Sequence, residues 1–140
     1  MKTYEKKFIL KHFKEGGYHF FVECKINGIK SYLTIDSGAS MSIFDKNSEI
    51  FKELVFSKMD GEQHSFNSSD FEILIGKIES FVIGKFKTSI KNAAFSSFDY
   101  INKIYKEQGV PEVIGLLGAD FLLKNKVVLD FSRKKMIVSY

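Results

Sequence analysis

A β-hairpin centred on Asn27-Gly28 is the sequence feature that most constrains this fold. Residues 18–26 alternate in polarity, which is the period of a strand with one buried face. Asn-Gly favours a tight primed turn, because both central residues of such a turn need positive φ. The returning run, residues 29–35, is again strand-like and ends directly at Asp36. The sequence therefore predicts two antiparallel strands that deliver an aspartate to the end of a strand.

Asp36 lies between two apolar runs and begins a stretch of small residues, Asp-Ser-Gly-Ala-Ser at 36–40. An unpaired buried carboxylate is costly, so charged side chains usually occupy solvated positions. An aspartate in this setting, beside a hydroxyl and a glycine, is a candidate for an acid held in place for chemistry. Asp, Ser and Gly are also common turn residues, and the tripeptide taken alone favours an ordinary surface turn. The rest of the chain must decide.

Most other segments before residue 98 are also strand-like, with one exception. Residues 5–14 form a predicted strand with Phe8 and Leu10 on one face, followed by a turn at 15–17. The exception is 42–54, where the spacing of Phe44, Phe51 and Leu54 predicts a short helix. An extended segment is expected at 55–59. Further strands are expected at 72–75, 78–83 and 87–95.

The C-terminal part predicts two short helices and a closing hairpin. Residues 98–107 suit one or two helical turns, which Gly109 and Pro111 would end. The apolar run at 113–118 contains glycines, which indicates a strand closely approached by another backbone. Asp120 suits the N-terminus of a short helix over 121–124. The hairpin is predicted from 126–131 and 135–140, so the fold class is all-β with two or three short helices.

Composition limits the remaining possibilities. A length of 140 residues, without a linker or an internal repeat, predicts a single domain over residues 1–140. Cys24 is the only cysteine, which excludes an internal disulfide and a cysteine zinc site, and we expect it to be a buried strand thiol. The apolar run at 8–10 is too short for a signal peptide or a membrane span. We expect a soluble, cytoplasmic protein with no metal and no other cofactor.

The positive charge does not indicate nucleic-acid binding. The formal net charge is +4, but Arg133 is the only arginine among 21 basic residues, and the lysines are scattered. Base readout and bidentate phosphate binding favour arginine over lysine. We therefore interpret the lysines as a solvated surface.

Two separated motifs together resemble the retroviral-type (retropepsin-like) aspartic proteases, and especially their cellular and bacterial single-domain relatives. The first is Asp36-Ser37-Gly38-Ala39-Ser40 after an apolar strand. The second, about eighty positions later, is the Ile-Gly-Leu-Leu-Gly-Ala-Asp segment at 114–120, followed by Val-Val-Leu-Asp-Phe at 127–131. The resemblance covers roughly residues 18–140. It implies a small closed β-fold in which Asp36 lies beside the strand at 116–118.

The resemblance also implies an activity, hydrolysis of peptide bonds in a peptide or protein substrate. This chemistry needs two carboxylates around one water, and the chain supplies one Asp-Ser-Gly, so it implies a homodimer with Asp36 of each subunit at its centre. Ser37 would hydrogen-bond across the dimer, and Gly38 would let backbone amides approach the carboxylate. Ala39 would place a small side chain beside the substrate.

The polar stretch at 60–70 takes the position of the flap that would close over substrate. Its substrate-binding residues would be Gly61, Glu62, Gln63 and His64. Flaps of this family are usually glycine-rich, whereas this stretch contains only Gly61. His64 is the only histidine expected near the site, and a solvated loop histidine is the simpler interpretation of it. Ala119 stands where retroviral members carry a basic residue, so we expect that supporting contact to be absent.

Two other functions are compatible with the same residues. A dimeric module of this fold that binds an extended peptide by strand addition, without cleaving it, is favoured by the glycine-poor flap. A monomeric β-barrel that binds single-stranded nucleic acid through lysines and aromatic residues is the second alternative. Helix capping is the simpler interpretation of Asp120, although a catalytic role stays open.

Overall fold

A computed structural model describes residues 1–59 and 72–140 of the chain. Within these ranges the chain forms eleven strands, two α-helices and one 3-10 turn. The strands are β1 (Thr3–Lys7), β2 (Ile9–His12), β3 (Tyr18–Ile26), β4 (Ile29–Ile35), β5 (Ile43–Asp45), β6 (Ser57–Lys58), β7 (Leu74–Ile83), β8 (Phe86–Ser96), β9 (Gly115–Leu117), β10 (Val128–Asp130) and β11 (Lys135–Ser139). The helices are α1 (Asp99–Glu107) and α2 (Ala119–Lys124), and the 3-10 turn is Glu49–Phe51.

Most of the strands join in one sheet that closes on itself. Its order is β2-β3-β4-β9-β5-β8-β7-β6, and an additional pairing joins β3 to β7. This pairing places Ile26 opposite Phe81 and so completes a barrel. A small second sheet has the order β1-β11-β10 and ties the N-terminal strand to the C-terminal hairpin. The predicted all-β closed fold with short helices is confirmed, while the single domain over 1–140 stays a prediction.

The hairpin predicted around Asn27-Gly28 is confirmed, with β3 and β4 at the predicted bounds. Asn27 and Gly28 have φ values of 49° and 82°, as a primed turn requires. The Asn27 amide also contributes to barrel closure, because its backbone N–H donates to the Ser80 carbonyl at 2.8 Å. The local turn and the long-range closure therefore share one residue.

Strand β3 is buried on both faces, where the sequence pattern indicated one. Val22 belongs to the main barrel core, and Phe21 belongs to a second cluster that includes Phe13 and Tyr105. Neighbouring residues of a strand point to opposite sides, so β3 separates two apolar regions. Tyr18 lies on the same face of the alternation as Val22 but is 59% exposed, so the expected buried face does not reach the start of β3. The second cluster exists because α1 packs over the outer side of β3.

Residues 5–14 form two strands instead of the predicted one. The chain leaves β1, which pairs with β11, and enters β2, which pairs with β3. Between them Phe8 is buried, and its N–H donates to the Lys134 carbonyl at 3.0 Å. Leu10 is 37% exposed, so the predicted shared face of Phe8 and Leu10 is wrong. The change of sheet at Phe8 interrupts the alternation along the segment.

The helix predicted over 42–54 is wrong. Residues Ile43–Asp45 form β5, which pairs in parallel with β8 and antiparallel with β9, and only Glu49–Phe51 turns as a 3-10 helix. Asp45 ends the strand: its carboxylate accepts hydrogen bonds from the backbone N–H groups of Asn47 and Phe98 at 3.0 and 3.2 Å. Burial raises the pKa of Asp45, and these two hydrogen bonds oppose the rise. Pairing with strands distant in sequence outweighs the local helical spacing here.

The strands predicted separately at 72–75 and 78–83 form one strand, β7, because the chain stays paired with β8 through Gly76 and a register shift after it. The helix predicted at 98–107 and the buried thiol of Cys24 are confirmed. Helix α1 ends before Gly109, which has a φ of 73°. Cys24 is a buried strand thiol, and burial, with a smaller contribution from the charge of Glu23, raises its pKa to about 12. Neither helix in the described part of the chain is long and apolar enough to cross a bilayer.

Candidate active site

Asp36 lies immediately after β4 and is held there by the neighbouring strand. β4 runs parallel to β9, with Ile35 opposite Leu117. The Asp36 N–H donates to the Leu117 carbonyl at 2.9 Å. The backbone of Asp36 therefore lies beside the 116–118 segment, as the resemblance implied.

The loop after Asp36 holds the carboxylate through its own backbone. The Gly38 N–H donates to Asp36 Oδ1 at 3.0 Å, and the Ala39 N–H donates to the Asp36 carbonyl at 3.2 Å. A Cβ on residue 38 would lie 3.3 Å from Asp36 Oδ1, which is a tight contact. Asp36 and Ser37 are exposed in the single chain, and Ala39 is half-buried. The segment is thus a turn, as its composition favoured, and it also presents an oriented carboxylate at the surface.

Ser42 and Asp120 anchor the far end of this loop, which the sequence did not reveal. Asp120 Oδ1 accepts from the Ser42 N–H at 2.9 Å and from the Ser42 hydroxyl at 2.7 Å. Ser42 Oγ in turn accepts from the Gly118 N–H at 2.9 Å. Gly118 is the N-cap of α2, so Asp120 is not the cap residue itself; it lies in the first turn, where Oδ1 accepts from the Phe121 N–H at 2.7 Å in addition to Ser42. Ser42 and Asp120 are 78 positions apart, so no local sequence pattern indicates that they pair.

Two glycines allow the loop to lie against β9 and α2. A Cβ on Gly118 would lie 2.6 Å from the Met41 carbonyl, and a Cβ on Gly115 would lie 2.3 Å from the Ile43 carbonyl. The predicted close approach of another backbone to 113–118 is confirmed. Next to Gly118, the Ala119 N–H donates to the Ala39 carbonyl at 2.7 Å. The Asp36 loop is therefore fastened at both ends to one strand–helix junction.

Ser42→Ala tests this anchoring. The change removes the acceptor of the buried Gly118 N–H, so we expect a loss of about 1–3 kcal/mol in the free energy of unfolding. Urea denaturation followed by circular dichroism measures it. Ser40→Ala is the matched control, because Ser40 is exposed and its hydroxyl makes no hydrogen bond within residues 1–59 and 72–140. Equal stability of the two variants would contradict the anchoring role.

A cavity of about 610 Å³ lies beside Asp36, with Asp36 and Ser37 in its wall. His19, Thr34 and Tyr105 also line it, so the expectation that His64 is the only histidine near the site is wrong. Burial raises the pKa of Tyr105; the hydrogen bond between its hydroxyl and that of Thr34 opposes this rise, and the charge of Asp36 adds to it. His19 lies seventeen positions before Asp36 on the adjacent strand, and the pairing of β3 with β4 brings it near.

The remaining predicted substrate-binding residues, Gly61, Glu62, Gln63 and His64, lie outside the described residues. Within the described ranges, His, Cys, Asp and Glu side chains form no group of three or more that could hold a metal ion.

No protein-family model and no curated protein sequence matches the chain. Among solved structures, a retropepsin-like aspartic protease from Rickettsia conorii matches with a TM-score of 0.52 and 20% identity, over 99% of this chain and 94% of that one. The retroviral protease-like domain of Ddi1 from Leishmania major matches with a TM-score of 0.53 and 14% identity, over 84% of this chain and 86% of that domain's chain.

These identities are low, so the likeness concerns the fold. The match nevertheless spans nearly the whole chain, including the strands that carry both motifs. The resemblance seen in the sequence is thereby confirmed at the level of architecture: this chain has the retropepsin-like fold.

Proposed function

We propose that the chain is a homodimeric aspartic endopeptidase in which Asp36 of each subunit activates one shared water. The observation that carries the proposal is the exposed Asp36 carboxylate, held by the Gly38 amide at 3.0 Å on a loop fastened to β9 and α2. The retropepsin-like fold supports the same assignment, because the two solved neighbours are a protease and a protease-like domain of this type.

The chemistry requires two carboxylates, and this requirement is the reason for proposing a dimer. The other aspartates of the chain lack the Asp-Ser-Gly context of Asp36. A two-fold axis near residue 36 would bring the carboxylate against its own copy. Because Asp36 is exposed in the single chain, a second subunit can approach it without unfolding the loop.

The pair would share one proton, since two carboxylates in close contact resist ionising together. The ionised member would accept a proton from the water, which attacks the scissile carbonyl. The protonated member would donate to the amide nitrogen that leaves. The exposed Ser37 hydroxyl would bond across the dimer and hold the two loops together. Gly61, Glu62, Gln63 and His64 would close over the bound peptide, and Ala39 would lie beside it.

Concentration dependence of the rate tests the dimer. Since one subunit lacks the second carboxylate, we expect the initial rate of cleavage of an unfolded protein to rise with the square of enzyme concentration while monomers dominate. The rate should become linear in concentration once sedimentation shows dimers. A rate linear at every concentration, from a protein that sediments as a monomer throughout, would contradict the proposal.

A peptide-binding dimer without catalysis is the second candidate. The feature that favours it is the single glycine, Gly61, in the polar stretch at 60–70. Such a module would bind an extended peptide by strand addition. The same samples separate the two functions: dimers that bind peptide and release no cleavage products at acid to neutral pH support the binding module.

A further inference from the structure

The cavity beside Asp36 has mostly apolar, aromatic walls. They come from the second core cluster, from Phe20 on the other side of β3, and from the closing hairpin, and include Phe13, Phe20, Phe98, Ile104, Leu116 and Phe131. A volume of about 610 Å³ lies within the range of small-molecule sites in proteins and leaves ample room for one aromatic side chain. Because Asp36 and Ser37 form part of the wall, a group in this cavity lies next to the carboxylate.

Three further polar side chains meet in this mostly apolar cavity. The Tyr105 hydroxyl lies 3.2 Å from Thr34 Oγ1 and 3.4 Å from His19 Nδ1. Thr34 precedes Asp36 by two positions, the spacing of side chains on one face of a strand. The hydroxyl of Tyr105 therefore connects the histidine to the strand that carries Asp36.

The ring of His19 is held in a defined orientation. It stacks on Phe13 with the ring centroids 4.0 Å apart and the planes 16° from parallel, and it lies nearly perpendicular to the ring of Tyr105, with the centroids 5.7 Å apart. Nδ1 is engaged by Tyr105, whereas Nε2 has no hydrogen-bond partner in the described part of the chain. Because His19 lines the cavity and its Nδ1 faces Tyr105, Nε2 is the ring nitrogen left for a bound group.

The wall formed by α1 is fixed independently of any ligand. At its C-terminal end, Gln108 Oε1 accepts from the Lys14 N–H at 3.3 Å, and Gln108 Nε2 donates to Glu15 at 3.1 Å. These bonds tie the helix to the turn between β2 and β3, which carries Phe13 on one side and His19 on the other. A preformed cavity needs little ordering when it binds.

We propose that this cavity is the subsite for the substrate side chain next to the scissile bond and that it selects tyrosine. This inference rests on the proposed peptidase function. An aromatic ring finds edge-to-face partners in the walls. A phenolic hydroxyl both donates and accepts, so it pairs with His19 Nε2 whichever ring nitrogen carries the proton. Phenylalanine fills the same space but leaves Nε2 without a partner, and alanine leaves the cavity to water.

Binding to Asp36→Asn dimers tests the selectivity without requiring cleavage. The probes are octapeptide pools with one position fixed as Tyr, Phe or Ala and the other positions randomised. We expect the Tyr pool to bind about five- to tenfold more tightly than the Phe pool, the ratio that one hydrogen bond provides. Adding His19→Phe keeps the stacking on Phe13 and removes both ring nitrogens, and it should abolish or reverse the Tyr preference.

His12→Phe is the matched control. His12 is an exposed histidine that stacks on Tyr18 outside the cavity, so its replacement should leave the Tyr preference unchanged. Circular dichroism checks that each variant is folded, and His19→Leu replaces His19→Phe if the latter does not fold. A Tyr preference that survives loss of the imidazole in the folded variant would overturn the proposal, as would the absence of measurable Tyr-pool binding.

Digestion of a denatured protein mixture by the wild-type enzyme separates this inference from the peptidase proposal. Tyrosine next to the cleaved bonds, lost in a His19 variant that still cleaves, supports the subsite. Cleavage with no Tyr preference overturns the subsite and leaves the peptidase standing. Tyr-selective binding that depends on His19, without any cleavage, supports the selective cavity and contradicts the peptidase.

Discussion

Asp36→Asn is expected to abolish peptide cleavage while the protein stays folded and dimeric. An asparagine amide neither takes a proton from water nor gives one to a leaving amine, so both roles of the pair are lost. Removal of one general acid–base group typically costs about a hundred- to ten-thousandfold in rate, and here both members of the pair change together. The fold is expected to persist because the amide oxygen can still accept from the Gly38 N–H, which now donates at 3.0 Å. Release of new peptide termini from an unfolded protein measures the rate.

Asp99→Asn is the matched control, since it removes the same charge from an exposed aspartate at the start of α1. It should retain the wild-type rate. A mixing experiment adds a second readout: excess Asp36→Asn subunits should suppress wild-type activity, because a mixed dimer has one carboxylate. Undiminished cleavage by folded Asp36→Asn would show that the assignment of Asp36 is wrong.

Gly115→Ala is expected to cause the largest loss of stability, about 3 kcal/mol or more in the free energy of unfolding. The added Cβ would lie 2.3 Å from the Ile43 carbonyl oxygen and 2.9 Å from the Phe44 Cα. Both contacts are with backbone, so no side-chain rotation relieves them. Gly115 also pairs with Leu33 on its other side, so moving β9 away from β5 disturbs β4. Urea denaturation with two independent probes measures the change.

Gly109→Ala separates the clash from the general cost of replacing a glycine. Gly109 has a φ of 73° and no atom within 4 Å of the added Cβ, so its replacement strains the backbone without a collision. We expect a loss of about 1 kcal/mol for this variant. A comparable loss for both variants would contradict the close packing of β5 against β9.

Local sequence signals predicted the elements whose contacts are also local. The β3–β4 hairpin needs only the Asn27-Gly28 turn and the alternation on either side, and both operate over a few residues. The glycines of 113–118 predicted a close backbone approach. A glycine in an apolar strand is visible in the sequence itself, whichever segment of the chain packs against it. The order and spacing of the two motifs were enough to indicate the retropepsin-like architecture.

Signals failed where a distant segment decides the outcome. Residues 43–45 have helical spacing to Phe51, but β8 and β9 offer them hydrogen bonds on both sides, and strand pairing prevails. The position of Asp120 indicates a role only at the start of α2, yet the fold also brings Ser42 to its carboxylate. His19 has the sequence context of an ordinary strand residue. Only the pairing of β3 with β4 brings it near Asp36, which follows β4.

The sequence by itself thus determined the strand-rich architecture, the hairpin that leads to Asp36 and the identity of the candidate acid. Only the tertiary structure decided which side chains surround that acid: the Ser42–Asp120 anchor and the cavity with His19, Thr34 and Tyr105. The physical reason is the separation along the chain of the residues that interact. Turn and strand preferences arise from neighbouring residues, whereas the site is assembled by contacts between distant segments, such as that of Ser42 with Asp120, 78 positions apart.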